Sequence, residues 1–515
     1  LFWVTIAGLP TATAVLALRL LAPVASRWQR PPPGYATTAD LARATTAAAV
    51  LRRTPQVRPD LTGRRIEVTQ VASLLGTDAR SGRRLYRSYE DNAILAGPTR
   101  MGKTACLAGQ VIDADGPVVV TSTRTDLLWV TAAARGRRGP VLVWEPEGKA
   151  GWPDPMRWSP VTGCADPGRA QLRAAAMVAG ARVGQDVTDG GTWQEIATEI
   201  LSYYLHAAAL GGRSMRDILS WAANPADETP QAILRDSRVG TSFWYGRLAA
   251  HAAADPRLVS NMWFGVSLAL KCVTHPQVLR ACCPPPSQSF DPAAFIRSGG
   301  GLYLLGSRAR QAPVAPLVTA LVEELVETAR ELGNASEHDR LAPPLHLFLD
   351  EVTNIAPLPS LPSLLSDGAG AGIPVTAAVQ SPAQLQERWG DRGAQAMWDN
   401  ATCKLLFGGS AYPDVLEDIS RLCGEYDQPY EVRTSGGAFN PAHTSASWQP
   451  RRQRVVPIED LYTLPPLTAL LLARATRPTR LAVQPWWTRP DADLLRADQA
   501  RLKATRHRPS SQDNR

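Results

Sequence analysis

The run Gly97-Pro98-Thr99-Arg100-Met101-Gly102-Lys103-Thr104 has the form G-x-x-x-x-G-K-[ST] and directly follows the apolar segment Ala93-Ile94-Leu95-Ala96. No other feature constrains the fold as strongly. A loop that wraps a phosphate must turn its backbone N–H groups inward, through conformations that a side chain would obstruct, and the glycines meet that need. A strand must come before the loop and a helix after it, so that the helix N-terminus faces the anion; Thr104 to Val111 can form that helix. Lys103 then brings a point charge to the β- and γ-phosphates, and the Thr104 hydroxyl can ligate an accompanying Mg²⁺. The expectation is a nucleoside triphosphatase with ATP and Mg²⁺ as cofactors.

Short apolar runs recur around this loop: Val118-Val119-Val120, Val141 to Trp144, Leu302 to Leu305, Leu345 to Leu349, Pro374 to Val379, Lys404 to Phe407, Ala469 to Ala473 and Arg480 to Val483. Such runs suit parallel strands covered on both faces. They predict an α/β fold, a RecA-like sheet that is mostly parallel. The rhythm is interrupted between about Asp166 and Pro284, where the periodicity is helical, as in the capping box Thr192-Trp193-Gln194-Glu195 and the apolar positions after it. The predicted organisation is a nucleotide-binding unit over 76–165 and 285–497, an all-α insertion over 166–284, and a disordered tail over 498–515. Arg433 to Arg454, rich in Gly, Ser, Thr and Arg, reads as an exposed loop.

The 515 residues allow more than one core, and the net charge of +8 suits anionic partners without choosing between nucleic acid and phospholipid. Residues 1–30 read as a transmembrane anchor, because Leu1 to Leu18 carry no charge and Arg19, Arg27 and Arg30 follow. A signal peptide or a buried helix are the competing readings. The positive-inside rule puts the body in the cytoplasm. Residues 31–75 form a juxtamembrane basic linker, and arginines from Arg52 to Arg87 crowd toward the loop, to meet lipid headgroups, a nucleic-acid backbone or only solvent. The seven cysteines show neither C-x-x-C pairs nor zinc spacing, and read as reduced thiols.

A phosphate loop needs a carboxylate partner, and the strand ending Leu349-Asp350-Glu351 supplies it. Asp350 would hold the Mg²⁺ shell, and Glu351 would act as general base on the attacking water. The strand Val375 to Val379 ends in Gln380, which in a RecA-like sheet would lie beside the γ-phosphate and report hydrolysis to moving parts.

Beyond the loop itself, Phe348-Leu349-Asp350-Glu351-Val352-Thr353-Asn354-Ile355, Leu361-Pro362-Ser363-Leu364-Leu365 and Gln380-Ser381-Pro382-Ala383-Gln384-Leu385 with Trp389-Gly390 resemble TraG/TraD-like coupling proteins, the membrane-anchored ATPases of conjugative type IV secretion. The resemblance runs from about Gly76 to Arg477. It implies a homo-hexamer at the inner bacterial membrane with a cytoplasmic ATPase body, partners that include a relaxase bound to single- or double-stranded DNA and the components of a type IV secretion channel, and an all-α unit that meets cargo. Many relatives carry an Arg between the acid pair and the Gln, where this chain has Asp367-Gly368-Ala369-Gly370-Ala371-Gly372. Arg308, Arg310 and Arg421 are the candidates to replace it. Two other functions stay open: an FtsK- or HerA-like motor on duplex DNA, and a docking receptor that binds nucleotide with little turnover.

Overall fold

A computed structural model of the chain describes residues 33–148, 150–185, 189–237, 241, 243–306, 314–410, 412–435, 444–474 and 476–506. The segment expected to anchor the chain, 1–30, and the candidates Arg308 and Arg310 lie outside these residues. No helix among the described residues is long and apolar enough to cross a membrane.

In chain order the strands are β1 (Ala72–Asp78), β2 (Arg84–Ser88), β3 (Ala93–Ala96), β4 (Val118–Ser122), β5 (Val141–Trp144), β6 (Gly301–Leu305), β7 (His346–Leu349), β8 (Val375–Val379), β9 (Cys403–Phe407), β10 (Glu425–Ser435), β11 (Thr444–Arg454), β12 (Thr468–Ala473) and β13 (Thr479–Ala482). Eleven of them form one sheet in the order β2-β1-β13-β12-β9-β3-β8-β7-β4-β6-β5. From β9 to β5 every neighbouring pair is parallel. From β9 outward through β12, β13, β1 and β2 the pairing is antiparallel.

Alternation divides the strand residues between two cores. Ile94, Val119, Leu347, Leu349, Ala377 and Leu302 enter one cluster; Leu95, Val118, Val120, Phe348, Ala378 and Tyr303 enter the other. Because both faces are covered, each run is apolar throughout, and that is what made the strands legible. The second face is covered by helices Lys103–Asp113 and Asp126–Gly136. The first is covered by helix Ala315–Asn334 together with the helices between β5 and β6, which include Pro167–Gly180, Gly190–Leu210 and Pro256–Leu270. The helical segment therefore shares one continuous core with the sheet. Arg169 and Arg173 of helix Pro167–Gly180 both pair with Glu324 on helix Ala315–Asn334, which locks the two layers together.

Three expectations need correction. The basic stretch before the loop is largely built into the fold: β1 and β2 extend the sheet, Arg58 is buried between Asp60 and Asp115, and Arg87 is wholly interior. The Arg87 guanidinium donates to the carbonyls of Asp91 (2.8 Å) and Val375 (3.0 Å), to Thr376 Oγ1 (2.7 Å) and to Gln110 Oε1 (3.3 Å), while burial pulls its pKa down. Only part of the stretch, Arg52, Arg64, Arg65, Arg83 and Arg84, is exposed. Second, the expected loop over 433–454 is mostly one arm of an antiparallel ribbon, with β10 paired to β11 from Glu425–Arg454 to Ser435–Thr444. Its Gly, Ser, Thr and Arg content reads as loop, and only the pairing with β10 makes it a strand. Third, the chain past residue 498 is not a tail from its start: helix Ala492–Ala504 continues through it, with Asp498 buried and paired to Arg137 and Arg501.

Candidate functional site

Four parallel strands, β3, β8, β7 and β4 in that spatial order, deliver their C-terminal ends to one edge of the sheet. The phosphate-type loop leaves β3. Its first amide, Gly97 N–H, donates to the Val379 carbonyl at the end of β8, and the Leu467 N–H closes its far side on the Met101 carbonyl at 2.9 Å. Arg100 sits at φ 67° and Gly102 at φ 117°. A Cβ on Gly102 would lie 3.1 Å from Leu467 Cδ2, so this position favours glycine by its conformation and leaves a side chain little room. Helix Lys103–Asp113 then opens with no side-chain cap at Gly102, which leaves its first-turn N–H groups facing outward. That uncapped, positively polarised turn fits a phosphate group.

Lys103 is buried and folds back onto its own loop, donating to the carbonyls of Gly97 and Pro98. Burial lowers its pKa, opposed by the nearby carboxylates of Asp350 and Glu351. Its ammonium therefore lies within the electrostatic reach of the acid pair. Thr104 stands beside it in the first helical turn, half-buried.

Asp350 and Glu351 follow β7. Asp350 is 6% exposed, and burial together with the adjacent Glu351 charge raises its pKa to about 6. The Ser122 hydroxyl donates to Asp350 Oδ2 at 3.2 Å, and Ser122 Oγ itself accepts the Arg124 N–H at 3.1 Å. Glu351 adopts the left-handed region at φ 53°, ψ 47°, a conformation that costs a non-glycine residue about 1–3 kcal/mol. It ends the strand abruptly and starts helix Val352–Ile355. Thr123 Oγ1 donates to Glu351 Oε2 at 2.9 Å, while Gln380 Nε2, at the end of β8, lies 3.5 Å from Glu351 Oε1. The Gln380 amide N–H is held by Gln384 Oε1 at 3.0 Å.

The sequence-predicted residues Gly97 to Thr104, Asp350, Glu351 and Gln380 thus meet at one edge. Arg421 lies on helix Pro413–Cys423, its side chain 70% exposed and paired to Glu417. Sequence reasoning missed Ser122 and Thr123. Their signal was the polar end of an otherwise all-valine strand, Val118-Val119-Val120-Thr121-Ser122-Thr123, which lies beside the acid-bearing strand.

Residues 344–466 match the family model described as the TraM recognition site of TraD and TraG. Over this segment the chain is TraG/TraD-like. Among solved structures, the unbound monoclinic form of the bacterial conjugative coupling protein TrwB superposes with a TM-score of 0.59 at 19% identity, covering 85% of this chain and 91% of that one. TrwB in complex with ADP and Mg²⁺ gives 0.57 at 19%, over 85% and 92% of the two chains. TrwB with the non-hydrolysable ATP analogue ADPNP gives 0.56 at 20%, over 77% and 86%. At these identities the likeness concerns the fold. No curated protein sequence matches this one. The motifs that suggested the resemblance fall largely within the matched segment and pack as a unit, Trp389 Nε1 donating to the Leu358 carbonyl at 2.9 Å.

Proposed function

We propose that this TraG/TraD-like chain is the ATPase of a conjugative transfer apparatus: a membrane-anchored ring that recruits a relaxase–DNA substrate and drives it into a type IV secretion channel. One observation carries the reading. The loop, the acid pair and Gln380 converge at adjacent ends of parallel strands, in a chain whose residues 344–466 match a TraD/TraG family model. TrwB, which shares the fold, was solved with ADP and Mg²⁺ and with an ATP analogue, which supports the same cofactors here.

In this reading the outward N–H groups of the loop and first helical turn hold the triphosphate, and Lys103 leaves the Gly97 and Pro98 carbonyls to meet the β- and γ-phosphates. Thr104 and Asp350 would hold Mg²⁺, which when bound neutralises charge on those phosphates. Asp350 is buried beside Lys103, and Ser122 fixes one of its oxygens. Glu351 takes a proton from the attacking water, and Gln380, bridging toward Glu351 from the loop side, senses whether the γ-phosphate is present. The hexamer, the inner-membrane location and an arginine supplied by a neighbouring subunit belong to the same proposal. The segment matched to TraD and TraG favours a coupling function over an FtsK- or HerA-like motor.

The test is Lys103→Ala in the full chain. The variant should remain folded, because Lys103 contacts loop carbonyls and supports no core packing, yet lose ATP hydrolysis and DNA transfer together. Full transfer by that variant would refute the motor reading, and transfer without measurable turnover in the parent protein would favour a docking receptor.

A further inference from the structure

Two consecutive hydroxyls at the end of β4 face two consecutive acids at the end of β7. Ser122 holds Asp350 and Thr123 holds Glu351, while the Asp350 N–H donates to the Thr121 carbonyl at 3.2 Å and so fixes the offset between the strands. β4 lies on the side of β7 away from the phosphate-type loop, and β8 lies on the loop side. The two oxygens of Glu351 are therefore approached from opposite directions. Oε2 accepts from Thr123 at 2.9 Å on the far side, and Oε1 points toward Gln380 on the loop side, where the 3.5 Å separation is too long for a strong hydrogen bond.

We infer that Thr123 is the positioning residue for the general base: by holding Glu351 Oε2, it turns Oε1 toward the place where the attacking water must stand. This rests on the proposed role of Glu351 in ATP hydrolysis. The physical need is plain. A glutamate has three side-chain rotors, and a carboxylate that wanders by an ångström loses the alignment that proton abstraction requires. Helix Val352–Ile355 fixes only the backbone, leaving the head of the side chain to be oriented by its neighbours. Thr123 is itself well placed for this task, since its backbone continues a strand bonded to both β6 and β7.

The experiment compares Thr123→Val, Thr123→Ser, Glu351→Gln and the double variant Thr123→Val/Glu351→Gln in the full chain, reading kcat, KM for ATP with Mg²⁺, and affinity for the non-hydrolysable analogue ADPNP. Valine keeps the shape and removes the hydroxyl. The expected result is a fall in kcat on the order of 10–100-fold, with KM and analogue affinity unchanged. Serine should restore turnover, and the double variant should be no slower than Glu351→Gln alone, because a base that is gone cannot be misplaced. A Thr123→Val protein with parental kcat would overturn the inference, as would a loss that extends equally to ADPNP affinity or that adds fully to the loss in Glu351→Gln. Parental hydrolysis by Glu351→Gln would instead remove the underlying role of Glu351, and the inference with it; failure of the two ideas can thus be told apart.

Discussion

Replacing Asp350 by Asn should stabilise the nucleotide-free protein while removing its response to Mg²⁺. Asn matches the size of Asp and can still accept from Ser122, so the substitution changes charge and little else. The wild-type carboxyl is 6% exposed, next to the Glu351 charge, and its pKa is lifted from an ordinary 3.8 to about 6. A carboxyl whose folded pKa lies above its unfolded one binds protons more tightly when folded. It therefore lowers stability as pH rises from 3.8 toward 6, and the penalty is complete above 6. The size of the rise corresponds to about 3 kcal/mol at pH 8. Chemical denaturation of the two proteins side by side, without nucleotide, should show Asp350→Asn more stable by that order at pH 8, with the advantage shrinking toward pH 4. Mg²⁺ with ADP should stabilise the wild type well beyond ADP alone and should do little more for the variant. Equal stability of the two proteins at pH 8, or an advantage that does not depend on pH, would show that Asp350 carries no burial penalty and would refute the reasoning.

Gly102→Ala should cost about 1–3 kcal/mol, because φ 117° is forbidding to a side chain and the new methyl meets Leu467; it should also weaken nucleotide binding, read by titration with a fluorescent ATP analogue. Arg87→Met should destabilise by about 3 kcal/mol or more, since it strands the carbonyls of Asp91 and Val375 and the side chains of Thr376 and Gln110 without a donor, a loss visible in thermal melts. Changing the exposed Arg64, Arg65, Arg83 and Arg84 together to Ala should leave the melt within about 1 kcal/mol of wild type and flatten the salt dependence of DNA binding. An unchanged salt slope would assign these arginines to solvent or lipid.

The parallel strands were legible because burial on both faces makes each a continuous apolar run, and the loop was legible because its glycines serve a local backbone requirement. Both signals are contained in a few adjacent residues. Ser122 and Thr123 were not legible, since a hydroxyl at a strand end acquires meaning only from the acid that the neighbouring strand sets beside it. The ribbon of β10 and β11 escaped for a related reason: a segment rich in Gly, Ser, Thr and Arg reads as loop, and only its pairing with the facing strand defines it. The arginines before the loop misled in the opposite sense, because charge in a sequence does not reveal whether a guanidinium meets solvent or, like Arg87, a cluster of carbonyls.

By itself, then, the sequence determined a phosphate-type loop between a strand and a helix, an acid pair at the end of an apolar run, and a mostly parallel sheet interrupted by helices. These are short-range consequences of backbone freedom and burial. Tertiary structure alone decided that β8 stands between β3 and β7, that β4 flanks the acid pair from the other side, and that Glu351 is consequently gripped by Thr123 while it faces Gln380. Strand order arises from how the helices cover the two sheet faces, a collective packing outcome that no local run of residues encodes, and that order gives each side chain at the edge its partner.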